Sequence, residues 1–292
     1  MLSGIFRIFK ELFGFSKQSE PNRKDSKKEE QTNVYNPAYH NFHKKKSTHS
    51  QKRKSDYNAG SAKRLSGSIY VLSIFVSSTP WDKKSRESLM AKLYEAEDWI
   101  KKEAARYNSR VDFRNGAYGY DRDSIKLNVA PGHGTGNEDA RVAHKALKAI
   151  GYSDISQFYD WFRKNEKCDN CMIIVFVKGN GRSYAIPYAP EYSGEFFTES
   201  CVFFECYENG TPEVSSGIAH EILHCFGAED LYETFQKPKE VEELARKLYP
   251  DDVMHRVDYN INNLNIGEFT AWCVGLTDAT KEEFKELLKE KC

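Results

Sequence analysis

His220, Glu221 and His224 stand in the order H-E-x-x-H, with Gly227 three residues on and Asp230 three beyond that. Residues four apart on a helix share one face, a turn from each other, so both imidazoles can reach a single metal ion. Glu221 directly follows the first histidine and so points to the side on which a metal-bound water would sit. Zinc lowers the pKa of such a water towards neutrality, and a neighbouring carboxylate can take its proton as the water attacks a carbonyl. Gly227 can adopt φ > 0 and stop the helix, letting the chain fold back with a third ligand. Asp230 is placed to be that ligand. The bland reading is an amphipathic helix with two hydrogen-bonded histidines. The full five-residue pattern should arise by chance in roughly one chain in ten thousand, which favours the metal.

The elements that must position these residues can be read along the chain. Residues 69–76 are a strand apolar on both faces, hence central. Residues 83–107 form a long amphipathic helix that turns Leu89, Leu93, Ala96, Trp99 and Ile100 inward. Strands are expected at 111–120 and 124–130, helices near 137–150 and 153–165, and a second apolar strand at 172–177. Ser183, Tyr184, Ala185 and Ile186 begin a short strand that Pro187 marks as an edge, and a strand at 201–205 precedes the metal helix at about 213–227. A helix within 237–250 and closing helices at 266–276 and 281–290 complete the order. The fold class is α/β (α+β), with a mixed twisted sheet, an active-site helix and C-terminal helices.

Composition divides the chain into three. Residues 1–15 form an amphipathic helix with Leu2, Ile5, Phe6, Phe9, Leu12 and Phe13 on one face. Arg7, Lys10 and Glu11 interrupt what a secretory signal would keep apolar. Residues 16–67 are polar, basic and nearly free of aliphatics, which reads as a disordered linker. The folded domain is expected at 68–292. Residues 1–67 carry 15 Lys and Arg against six Asp and Glu, so the neutral chain hides an acidic main domain, and nucleic acid is disfavoured as its partner. The amphipathic helix with its basic segment suits an anionic membrane surface, or the helix docks on its own domain or on a partner. All seven cysteines fall within 168–292 in no disulfide-framework pattern, which points to a reducing, cytoplasmic setting with the N-terminal segment peripheral to a membrane. Cys168-Asp169-Asn170-Cys171 is read as two free thiols before a strand, with a redox-active pair or half a zinc site alongside Cys201 and Cys206 as the rivals. Residues 132–136, GHGTG, lack the spacing of a nucleotide-binding loop.

His220, Glu221, His224 and Gly227 resemble, residue by residue, the long motif of the metzincin zinc endopeptidases. Asp230 stands where most members have histidine, as in the snapalysin-type branch. The resemblance implies a zincin-like catalytic domain with one zinc ion held by His220, His224 and Asp230, and Glu221 as general base. It also implies a methionine turn under the metal, for which Met254 in Asp251-Asp252-Val253-Met254-His255 is the candidate, and residues 255–265 as a pocket wall. The tyrosine that assists catalysis in several members would lie two residues past the methionine. Arg256 holds that position, and Tyr259 is the nearest tyrosine downstream. A rival zincin arrangement takes a glutamate from a later helix, for which Glu268 qualifies. The expected activity is peptide-bond hydrolysis, with the edge strand at 183–188 pairing an extended peptide or protein substrate. The alternatives are a non-catalytic zinc-containing peptide-binding module and a tether carrying the domain as cargo.

Overall fold

A computed structural model describes residues 62–121, 125–131, 139, 141–187 and 198–291. The N-terminal helix and most of the basic linker lie outside the described residues, as do the GHGTG stretch and Tyr188.

Strand β1 (Gly67–Ser77) is buried continuously from Ile69 to Ser77. A strand with no solvent face needs neighbours on both edges and a helical layer on both sides. It has both. β2 (Val111–Tyr118) and β4 (Asn170–Asn180) flank it in parallel, and the two-residue β3 (Ile125–Lys126) pairs with its end. β6 (Ser200–Cys206) runs parallel to β4, and β5 (Tyr184–Ile186) closes that side antiparallel to β6. The order β2-β1-β4-β6-β5 makes a mixed six-stranded sheet with β5 at the edge. The fold is therefore α/β with a mixed sheet.

Pleating sends Ile69, Val71 and Phe75 to one face and Tyr70, Leu72, Ile74 and Val76 to the other. On the first face lie α1 (Lys83–Arg106) and α4 (Ser215–Cys225), and on the second α2 (Val142–Ala149) and α3 (Ile155–Asn165). Asp82 caps α1 by accepting from the Ser85 N–H at 2.8 Å, and Leu89, Leu93, Ala96, Ile100 and Ala104 face the sheet at helical spacing. The first core continues into α5 (Lys239–Leu248), a 3₁₀ turn (Ile261–Asn263), α6 (Glu268–Cys273) and α7 (Phe284–Leu287). None of the described helices is long and apolar enough to cross a membrane.

Three expectations change in detail. The strand foreseen at 124–130 is only Ile125–Lys126, because the sheet offers it just the last two positions of β1. The closing helices shrink to six and four residues. The linker boundary at 67 falls inside packed chain: Ala62 and Leu65 are buried, with Leu65 N–H donating to Val274 O at 2.8 Å. Two apolar side chains among lysines and serines are too few to alter local composition, but they are enough to dock a segment.

Candidate metal centre

Helix α4 is fixed in rotation by residues that do no chemistry. Ile218, Ile222, Leu223 and Phe226 are fully buried, each worth about 2 kcal/mol, and hold the helix against the sheet and α1. Gly217 lets the helix pass close to its neighbours, since a Cβ there would come within 2.5 Å of both Glu213 Oε1 and the Tyr207 hydroxyl. His220 and His224 follow on one side, one turn apart.

The helix stops in a Schellman turn. Gly227 has φ +93°, its N–H donates to His224 O at 2.9 Å, and the Ala228 N–H donates to Leu223 O at 3.1 Å. This turn does two further things. It brings the Ala228 carbonyl to 2.8 Å from His224 Nδ1, and it returns the chain so that Asp230 faces both histidines. His220 Nδ1 meets the Val253 carbonyl at 2.9 Å, one residue before Met254.

Both Nδ1 atoms thus donate to carbonyls, which leaves both Nε2 atoms as lone-pair acceptors. These two nitrogens are 3.1 Å apart, and Asp230 Oδ1 lies 3.3 Å from the first and 3.2 Å from the second. Asp230 Oδ1 is buried and accepts no hydrogen bond. Three lone-pair atoms converging on one another repel unless a cation sits among them. Ligands about 2.05 Å from a tetrahedral zinc are separated by about 3.3 Å, so the triangle has the dimensions of one face of such a site. His220, His224 and Asp230 could hold a metal ion, and among the described residues they are the group that could. In the metal-free protein a proton serves instead. Desolvation opposes charge on His224, but Asp230 and Glu221 outweigh it and raise the imidazole to about 9.

The turn at 252–255 is built by Asp252, which is fully buried. Its Oδ1 accepts from the Met254 N–H and its Oδ2 from the Gly267 N–H, both at 2.8 Å, while burial pushes the carboxyl up to about 6. Met254 is fully buried, and its carbonyl accepts from the Leu231 N–H at 3.0 Å, tying the turn to the residue after Asp230.

Of the three candidate ligands, His220 lines a cleft of about 280 Å³, together with Arg182, Ser183, Tyr207, Glu213, Gly217, Glu221, Tyr232, Arg256 and Val257. Glu221 therefore shares this cleft with His220. Ser183 lies just before β5; its hydroxyl donates to Glu213 and accepts from the Phe204 N–H at 3.3 Å. Tyr184 and Ile186 are buried and Ala185 is partly exposed, so β5 presents main chain rather than large side chains. The cleft's Arg256 and Val257 come from the stretch expected to wall a pocket.

Tyr259 stands apart from this cleft and is 80% exposed. Arg256 pairs with Asp251 at 2.9 Å and Asp258 at 2.7 Å, and Ser216 Oγ donates to the Asp258 carbonyl at 2.7 Å. These contacts pin 256–258 against α4 and turn Tyr259 outward, which corrects its expected catalytic position. The phenols that do face the cleft are Tyr207 and Tyr232. Tyr232 stacks at a tilt on His220, ring centres 6.0 Å apart, and burial with Asp230 and Glu221 nearby pushes its phenol up, so it stays protonated. Nothing in the local pattern singled out Tyr232 beyond its place two residues after Asp230. Glu213 was also unforeseen. It is almost wholly buried, accepts from Ser183, Tyr207 and the Val214 N–H, and is shifted upward by desolvation.

Glu268, the rival ligand, is exposed at the start of α6 and pairs with Lys281. The six described cysteines are free, and none joins a metal-binding group among the described residues. Cys201 and Cys225 lie with sulfurs 3.4 Å apart behind the helix, both thiols held up by burial.

No protein-family model matches the chain, and a search of curated proteins finds no match either.

Proposed function

We propose that the protein is a zinc-dependent endopeptidase with a zincin-type catalytic domain of the metzincin kind. The observation that carries this reading is the lone-pair triangle of His220, His224 and Asp230, with edges of 3.1–3.3 Å, whose His220 lines a cleft together with Glu221. A closed structural site has no use for a carboxylate beside its open position, which disfavours a purely structural zinc. Zinc, when bound, supplies a water of lowered pKa and polarises the substrate carbonyl. The chain's own residues do the rest. Val253 O and Ala228 O fix the tautomer of both histidines, so each presents a lone pair and neither can rotate away. Glu221 accepts a proton as the carbonyl is attacked and delivers it to the leaving amine. Tyr232, kept protonated and lining the cleft beside His220 and Glu221, would donate to the negative charge that develops on the attacked carbonyl. The outer edge of β5, which has no partner strand among the described residues, pairs with the extended substrate through main-chain hydrogen bonds, so that side-chain preference is left to the cleft walls.

Glu221→Gln tests the reading. Metal analysis should find one zinc in both wild type and variant, while a proteomic cleavage-site screen finds cuts only with wild type. Cleavage that survives in the variant removes the mechanism, and wild type that binds no zinc removes the metal centre.

A further inference from the structure

Two guanidinium groups line the cleft, and they are in different states. Arg256 is committed to Asp251 and Asp258, so its charge is already matched. Arg182 is exposed at the cleft wall, and among the described residues no hydrogen-bond or ion-pair partner holds it. Glu221 lines the same cleft and forms no ion pair with Arg182 among the described residues, and the other two acids of the site are occupied. Glu213 spends its oxygens on Ser183, Tyr207 and the Val214 N–H, and Asp230 faces the histidines. Arg182 is also tied to a direction. It lies two residues before β5, whose outer edge has no partner strand among the described residues. A peptide added to that edge in the antiparallel sense runs opposite to β5. The N-terminal end of β5 therefore meets the C-terminal part of the peptide, and it is this end, through Arg182 and Ser183, that lines the cleft with His220 and Glu221.

We infer that Arg182 is a specificity-determining residue that selects a carboxylate on the C-terminal side of the scissile bond. The inference rests on the endopeptidase reading for the position of that bond. Guanidinium and carboxylate match as a planar fork, and with no ion-pair partner among the described residues the Arg182 fork is available to the ligand. The carboxylate is either an acidic side chain or the peptide's own C-terminus. Because Arg182 is exposed, the preference should be modest, about three- to tenfold, and should weaken with added salt.

The test uses full-length, zinc-loaded protein carrying Glu221→Gln, so that bound peptides survive. Fluorescently labelled peptides identical except for Glu, Gln or Lys in the C-terminal half are titrated by anisotropy, each as free acid and as amide. The Glu peptides should bind about three- to tenfold tighter than the Gln peptides, and adding Arg182→Glu should shift preference to Lys. If that variant melts early, Arg182→Gln should abolish the preference without reversing it. Preference that follows the free acid rather than the side chain places the C-terminus against Arg182 and supports the same chemistry. Equal binding of all peptides, or a Glu preference untouched by either Arg182 change, overturns the inference. Acid-selective binding without cleavage by protein that retains Glu221 leaves Arg182 in its role and sinks the hydrolytic reading instead.

Discussion

Replacing Gly227 with alanine should reduce both stability and zinc affinity, and the two losses have separable origins. At φ +93° an L-residue lies beyond the left-handed basin, a strain on the order of 2 kcal/mol. In a domain of this size each kcal/mol lowers the melting temperature by about 2–4 °C, so zinc-free Gly227→Ala should melt about 4–8 °C below wild type. If the chain relaxes instead, the bonds from the Gly227 N–H to His224 O (2.9 Å) and the Ala228 N–H to Leu223 O (3.1 Å) are disturbed. The same movement displaces the Ala228 carbonyl from His224 Nδ1 and Asp230 from both Nε2 atoms. Loss of such a supporting partner costs roughly 10–100-fold in metal affinity, so competition with a chromogenic chelator should show at least a tenfold weaker zinc site. Gly227→Asn, whose side chain tolerates the left-handed region better, should fall between the two on both measures. An alanine variant that melts early yet binds zinc like wild type would show that the turn does not position the ligands. One unchanged in both would refute the strain.

Three further outcomes follow from the buried charges and the metal. Glu97 is fully buried and pushed up to about 8 by desolvation, against 4.5 for the free group. The folded state keeps a proton that the unfolded chain gives up above about 4.5, so this contribution is complete below that pH and is lost as pH rises through about 8. Glu97→Gln should therefore match wild type near pH 4.5 and exceed it at pH 8.5 by on the order of 4 kcal/mol in denaturant unfolding; equal stabilities at pH 8.5 would count against the buried charge. Zinc must displace the proton that His224 holds up to about 9, so apparent affinity should rise about tenfold per pH unit from 7 to 8.5, and a flat profile in chelator competition would contradict the site's electrostatics. Chelation should lower the melting temperature, by about the equivalent of 4 kcal/mol where free zinc had stood a thousandfold above its Kd; a melting curve indifferent to chelator would mean that no zinc binds the folded state.

What could be read in advance divides along a physical line. His220, His224, Gly227 and Asp230 meet through rules of one helix and one turn, so the spacing of residue types alone predicts their convergence. The buried strands were equally legible, because continuous apolar runs have few alternatives. Other parts of the site hang on contacts far apart in the chain. His220 is oriented by Val253 O, 33 residues away, and the turn that carries Val253 is held by Asp252 through the Gly267 N–H. Tyr259 and Tyr232 make the distinction concrete. Distance past Met254 nominated Tyr259, but sequence distance has no direction. The pairs of Arg256 with its two aspartates and the Ser216 contact decide that Tyr259 points to solvent. Tyr232 reaches His220 because the Leu231 N–H is tied to Met254 O. The same turn that moves one tyrosine out thus brings another in. A phenol beside the candidate metal centre is reached here by a different stretch of chain, so on the proposed function substitution at Tyr232, rather than Tyr259, should perturb catalysis. Tyr232→Phe should lower kcat at least tenfold with zinc retained, whereas Tyr259→Phe should leave kcat within twofold; the reverse pattern would restore the downstream tyrosine to the site.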